Sequence, residues 1–380
     1  MAAPVQERGR MLVINPFAGE IGGTERHSVL LARTASEAGW RVRLVFPALG
    51  AVRDERLRAW CVAQGFAAET TPAVRDSALP CGPRDLARLA ALVRASRADA
   101  IVINYGAYPA LRAIAAIRLA RPRARLIVEV HSVLDWNQVG IRRRSKTRRT
   151  AALSSRMVVH SRPVLRSLLA AGVPKEKTVI FPYAIPPPAS PPTRTRARAS
   201  MGVPDDAVVV GTAARLCPEK GVADLIEAVA EVPDPTGRVH LLIAGDGELR
   251  TDLEQLARLR LGSRAHFLGH IVDLAPFYSS LDLFALAPIW DEAFGLVYIE
   301  AAHHGVPSVA SRVGGVADVV VDEATGLLAT RGDRRGLVAA LSRLIADPPL
   351  RQTLGAAAQA RARALYGVER LLTAYAAILG

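Results

Sequence analysis

The chain has 380 residues, enough for two domains at about 150 residues each. Half of them are hydrophobic and 22% charged, a balance that excludes wholesale disorder. The net charge of +14 is unevenly placed, with 30 Lys and Arg against 13 Asp and Glu in residues 1–190 and 19 against 22 in residues 191–380.

In chain order, short apolar runs alternate with longer helical patterns. The first half predicts strands at 11–15, 41–46, 100–104, 125–130, 156–160 and 178–181. It predicts helices at 24–38, 84–96, 108–120, 145–154 and 162–171. Strands that are apolar throughout and alternate with helices indicate a parallel sheet covered on both faces. Residues 182–192 then hold Pro182, Pro186, Pro187, Pro188, Pro191 and Pro192, a stiff extended spacer that cannot join a helix or a central strand. After it the alternation restarts. Strands are expected at 207–212, 239–244, 264–268, 282–286, 307–310 and 327–329, and helices at 221–231, 248–260, 273–280, 295–304, 315–321, 334–346 and 350–365. The expected fold class is α/β, with two doubly wound Rossmann-like domains facing a central cleft and ligands beyond the carboxyl ends of the strands.

The cysteines Cys61, Cys81 and Cys217 have no CxxC spacing, which argues against disulfides and a structural zinc site and fits a reducing compartment. The opening residues lead straight into Met11-Leu12-Val13-Ile14, so no signal peptide is expected, and no apolar run is long enough for a transmembrane helix. A cytoplasmic location is expected, with a peripheral seat at the inner membrane face as an option. That option rests on Arg142, Arg143, Arg144, Lys146, Arg148 and Arg149, six cations without an acidic neighbour, suited to a phosphate-rich surface. The plain alternative is a solvated basic face. No zinc-finger spacing, basic zipper or interleaved aromatics point to nucleic acid.

The segment Gly19 to Glu25 places Gly22 and Gly23 before a helix, with Thr24 able to cap it, a start whose N–H groups suit a phosphate. The spacing is neither a dinucleotide GxGxxG nor a Walker loop. Arg215 and Lys220 follow a strand end, and a guanidinium with an ammonium suits a diphosphate. In Asp291-Glu292-Ala293-Phe294-Gly295-Leu296-Val297-Tyr298-Ile299-Glu300, eight steps at about 100° each put Glu292 and Glu300 about 80° apart around a helix axis. The helix start between them is a further anion site. Gly245-Asp246-Gly247 and Gly314-Gly315 are tight turns at strand ends, and His131 terminates another strand. His303 and His304 are read as structural.

As a set, GGTE at 22–25, His131, Arg215 with Lys220, GDG at 245–247, EAFGLVYIEA with Glu292 and Glu300, and GG at 314–315 resemble the retaining glycosyltransferases of family 4, over nearly the whole chain. The resemblance implies the GT-B fold, with residues 1–185 binding the acceptor, 186–198 as a Pro-rich linker, 199–362 binding a nucleotide sugar, and a helix in 363–380 packing back on the first domain. It implies that Arg215 and Lys220 neutralise the donor diphosphate in place of a metal. Cofactors are expected to be none, and no DxD motif is present. Glu292 with the backbone of Phe294, Gly295, Leu296 and Val297 would hold the transferred sugar and its phosphate. Glu300 would take the ribose hydroxyls, and His270 and Ile271 would meet the base. Gly22 and Gly23 would close on the diphosphate, and His131 would contact the sugar and support developing positive charge. The expected activity is hexosyl transfer from a UDP-sugar to a sugar, lipid-linked or natural-product acceptor. The alternatives are a GDP-mannose-dependent mannosyltransferase at a membrane surface and a sugar-nucleotide epimerase of the same fold. Two features depart from the family pattern: Ala293 stands where glycine is common, and Phe181-Pro182-Tyr183 stands where many relatives have an Asn-Gly turn.

Overall fold

A computed structural model describes residues 8–17, 22–74, 82–106, 111–133 and 136–379. The chain divides into two compact units, one of residues 1–184 with 368–380 and the other of residues 185–367.

Unit 1 runs β1 (Gly9–Ile14), α1 (Gly23–Glu37), β2 (Trp40–Pro47), α2 (Ala51–Ala63), β3 (Glu69–Thr71), α3 (Pro83–Ser96), β4 (Ala100–Tyr105), α4 (Leu111–Ala120), β5 (Arg125–Val130), α5 (Trp136–Leu153), β6 (Arg156–Val159), α6 (Arg162–Ala170) and β7 (Thr178–Ile180). Its seven strands lie in the order β3-β2-β1-β4-β5-β6-β7, all parallel. Met11, Val13, Val102, Ile127 and Val158 are fully buried, as expected of strands with a helical layer on each face.

Unit 2 begins with α7 (Arg194–Met201) and continues β8 (Val208–Ala213), α8 (Val222–Glu231), β9 (Val239–Ala244), α9 (Arg250–Leu261), β10 (Ala265–Gly269), α10 (Ala275–Ser280), β11 (Leu283–Leu286), α11 (Leu296–His303), β12 (Ser308–Ser311), α12 (Val316–Val319), β13 (Gly326–Ala329), α13 (Arg334–Ala346) and α14 (Pro348–Leu365). The order is β10-β9-β8-β11-β12-β13, again parallel. The last helix, α15 (Val368–Leu379), belongs to unit 1, where Leu371, Tyr375 and Leu379 join the core beside Leu31 and Phe181.

Helix α7 takes up Arg194 to Arg198, which the sequence reading gave to the linker. The segment lacks apolar periodicity and is held by charge instead. Arg198 is 1% exposed. Its guanidinium donates to Asp282 Oδ2 at 2.7 Å, the Ala207 carbonyl at 2.9 Å and the Ser280 carbonyl at 3.2 Å. Asp282 also accepts the Val209 N–H at 2.7 Å and meets Arg194. A buried arginine is tolerated only when its fork is saturated in this way. The sequence reading also passed over α2 and β3. Of α2 only Asp54 and Cys61 are buried, so its pattern carries little periodicity.

Replacing Arg198 by alanine removes the one cation that ties Asp282 to the Ala207 and Ser280 carbonyls, leaves a cavity there, and is expected to cost about 3 kcal/mol, read as a lowered urea midpoint. Lysine is expected to recover little, because a single nitrogen cannot reach acceptors placed along the Nε, Nη1 and Nη2 edges of a planar fork. An unchanged midpoint in the alanine variant would remove this account of α7.

Candidate active site

In each sheet the strand order reverses once, between β1 and β4 in unit 1 and between β8 and β11 in unit 2. Such a reversal opens a crevice beyond the carboxyl ends of the strands. In unit 2 the loop after β8 carries Arg215 and Lys220, and the loop after β11 carries Glu292, Phe294 and Gly295.

The structure brings Lys220 and Glu292 together. Lys220 Nζ donates to Glu292 Oε1, and both side chains are about three-quarters covered, at 25% and 21% exposed. The two loops are fixed by backbone approach. Gly221 has φ +63, and a Cβ there would lie 2.0 Å from the Ala287 carbonyl oxygen. Gly314 has φ +46, and its Cβ would lie 2.0 Å from the Glu292 carbonyl oxygen, which also accepts the Gly315 N–H at 2.7 Å. Only glycine satisfies both the dihedral angle and the space. The Ile289 N–H donates to the Glu219 carbonyl at 3.0 Å, and the Leu216 N–H to the Asp246 carbonyl at 2.8 Å. The GDG turn is thereby stitched to the Arg215 loop, while Arg215 itself is exposed.

Helix α11 opens at Leu296 behind Gly295 with no side-chain cap, so its first N–H groups have no partner within the helix. The Phe294 ring is buried edge-on to Tyr366 at 5.8 Å between centroids, so only its backbone faces this opening. Leu296 and Val297 are half-buried in the first turn. One turn on, Glu300 Oε2 accepts the Tyr278 hydroxyl at 2.7 Å. His270 is exposed and Ile271 half-buried just past β10.

Unit 1 shows a network that the sequence reading reduced to His131. Ser28 Oγ donates to the Thr24 carbonyl at 2.9 Å and must therefore accept from Asn15 Nδ2 and Asn104 Nδ2, at 3.0 and 2.9 Å. Asn104 Oδ1 is then the acceptor for His131 Nε2 at 2.7 Å, so that nitrogen carries the proton. His131 Nδ1 is left to accept from the Tyr183 hydroxyl. Burial, with Glu129 and Glu25 nearby, pushes the Tyr183 phenol well above its ordinary value, keeping it a donor. Burial likewise lowers His131. Both His131 ring nitrogens are therefore spent inside unit 1. Beneath them Glu129 is fully buried, 3.1 Å from His27 Nε2. Burial works to raise its carboxyl, but His27 and the hydrogen bond from His131 together hold it well below the usual carboxylate range. His160 stacks on Tyr183 at 3.8 Å between centroids. The sequence did contain a signal for the rest of this cluster: Asn104, Glu129 and His160 are polar residues ending otherwise apolar strands.

At the start of α1 the Gly22 N–H donates to Glu25 Oε2 at 2.9 Å. The residue supplying negative charge at this helix start is thus Glu25. Gly19, Glu20 and Ile21 lie outside the described residues. Arg142, Arg143, Lys146, Arg148 and Arg149 are exposed on α5 and Arg144 is half-buried, while Thr147 and Thr150 face inward.

The sequence model "Glycosyltransferase Family 4" matches residues 21–187, and "Glycosyl transferases group 1" matches residues 193–361. The chain belongs to glycosyltransferase family 4. It is 37% identical over 180 residues to the lipopolysaccharide core biosynthesis glycosyltransferase LpsD of Rhizobium meliloti, covering 47% of this chain and 51% of that one. It is 34% identical over 199 residues to the D-inositol 3-phosphate glycosyltransferase of Stackebrandtia nassauensis, covering 49% and 44%. The chain thus spans about half the length of the curated relatives it matches. The structure of Anabaena HepE in complex with UDP and glucose superposes with a TM-score of 0.81 at 23% identity, over 98% of this chain and 99% of that one. The fold is GT-B, with two Rossmann-like domains of seven and six parallel strands.

A histidine at the end of α11 gives a pH prediction. His304 ends α11, bonds Ser279 at 3.0 Å and packs on Tyr278, the partner of Glu300. Burial, then the neighbouring His303, pushes its imidazole down to about 4. Between that value and the unfolded value near 6.5, the unfolded chain binds a proton that the native state refuses, so stability falls as pH drops through this window. The thermal midpoint is expected to decline from pH 6.5 to 4.5, and less so in His304→Gln. Equal slopes in the two proteins would contradict the assignment.

Proposed function

We propose that this family 4 chain transfers a hexosyl group, with retention, from a nucleotide diphosphate sugar to an acceptor hydroxyl. The observation that carries the reading is the Lys220–Glu292 pair at the β8–β11 reversal, beside the uncapped start of α11 and the exposed Arg215. In glycosyl transfer the bond from the anomeric carbon to the diphosphate breaks while a bond to the acceptor oxygen forms. Negative charge collects on the departing phosphate. Lys220, Arg215 and the α11 N–H groups would stabilise that charge, which would make the step independent of an added metal ion. Lys220 would exchange part of its contact with Glu292 for the phosphate, freeing a carboxylate oxygen for the sugar hydroxyls. The acceptor would approach on the leaving-group face and pass its proton to the phosphate oxygen. Glu300, already oriented by Tyr278, would accept from the ribose. A UDP-sugar is the first choice of donor, because the structurally similar HepE was solved with UDP and glucose. A lipid-linked or glycan acceptor is preferred, since the similar LpsD is named for lipopolysaccharide core biosynthesis.

Alanine at Lys220 or at Glu292 is expected to lower kcat by about 10²–10³-fold with an unchanged circular dichroism spectrum. Added Mg²⁺ is expected to leave the wild-type rate unaltered, and NMR of the first-formed product to show the donor's anomeric configuration. Near-normal turnover in both variants would refute the site.

The basic face of α5 makes a separate case for an anionic surface. Replacing Arg142, Lys146 and Arg149 by glutamine is expected to abolish salt-sensitive binding to phosphatidylglycerol vesicles and to spare turnover on a soluble acceptor. Parent protein that ignores such vesicles would end the membrane reading.

A further inference from the structure

A buried ring nitrogen without a partner is costly, and unit 1 holds two in one cluster. His160 is 3% exposed, and its Nε2 has no hydrogen-bond partner among the described residues. Its Nδ1 lies 3.1 Å from the Phe181 carbonyl oxygen, which can only accept. The proton is therefore on Nδ1, and Nε2 presents a bare lone pair. His27, also 3% exposed, places Nε2 3.1 Å from Glu129 Oε2 and leaves Nδ1 without a partner among the described residues. One ligand atom from each of His27, Glu129 and His160 lies within 4.8 Å of the other two, the only such group among the described residues.

We propose that His27, Glu129 and His160 bind a divalent cation of the zinc class. Two imidazoles and one carboxylate form a donor set suited to zinc or cobalt and ill suited to magnesium or calcium. His160 already has the outer partner expected of a metal ligand, a backbone carbonyl on its other nitrogen that fixes tautomer and ring orientation. Ligands at about 2.1 Å from a tetrahedral zinc are about 3.4 Å apart, so the cluster closes by no more than about 1.4 Å on binding. The cation would also balance the fully buried Glu129 carboxylate, which otherwise relies on imidazoles alone.

The site joins three elements of unit 1. His27 sits in the second turn of α1, Glu129 on β5 and His160 at the end of β6. A cation there would tie the glycine turn at Gly22 and Gly23 to the carboxyl ends of two strands. The role is positioning, and no chemical step passes through the ion. The inference stands on these three side chains and is independent of the donor chosen above.

The test uses the full chain, stripped by chelation and titrated with Co²⁺ and then Zn²⁺. The expected result is one cobalt per chain with the visible bands of a low-symmetry site, displaced by one zinc. Glu129→Gln and His160→Ala are each expected to weaken cobalt by more than the about 10–100-fold that loss of an outer partner costs. Their folding is checked by circular dichroism. If His160→Ala does not fold, His27→Gln is read in its place. A His240→Ala, His266→Ala double variant removes the half-buried pair at 3.0 Å in unit 2 and is expected to bind cobalt normally. Substoichiometric cobalt in the parent, unchanged affinity in the Glu129 and His160 variants, or loss in the His240/His266 variant would each overturn the site.

Discussion

Main chain pressed against main chain at the carboxyl ends of β8, β11 and β12 is the constraint on which unit 2 depends. Gly221 lies on the Ala287 carbonyl and Gly314 on the Glu292 carbonyl, each at a distance that leaves no room for a Cβ. Because these contacts are backbone contacts, the positions of Lys220 and Glu292 do not follow surface side-chain motion. A cation and a carboxylate are thereby held in register, three-quarters covered, where each retains a face for a ligand. In the proposed transfer, charges held beside the site beforehand would need little reorganisation once the donor is bound.

Unit 1 is organised by hydrogen-bond direction. The Ser28 proton, committed to the Thr24 carbonyl, sets both asparagine amides, then the His131 tautomer, then the Tyr183 hydroxyl. A ligand seeking His131 Nδ1 has to displace Tyr183. In the segment Phe181-Pro182-Tyr183 the phenol thus occupies the ring nitrogen of His131 that Asn104 leaves open.

Much of the architecture was legible because fully buried parallel strands leave apolar runs, and those runs lie within a residue or two of the observed strands in both units. The loops at the β8–β11 reversal were legible for another reason. Cations and acids beside glycines at strand ends have few structural uses, and here they meet. What escaped the reading rests on side-chain charge or on distance in sequence. Helix α7 is held by the saturated fork of Arg198, which an Arg-rich sequence hides. The pairing of His27 with Glu129 spans 102 residues, a separation that no local sequence pattern encodes. Cysteine spacing, the usual zinc signal, says nothing about a site built from histidine and glutamate.

The most direct measurement is calorimetric titration of the full chain with a nucleotide diphosphate and its sugar, without added divalent ions. The account predicts saturable binding of UDP and UDP-glucose, indifferent to Mg²⁺ or Mn²⁺ and lost in Lys220→Ala. It is contradicted if no nucleotide diphosphate or nucleotide sugar binds, or if the Lys220 variant binds as tightly as the parent.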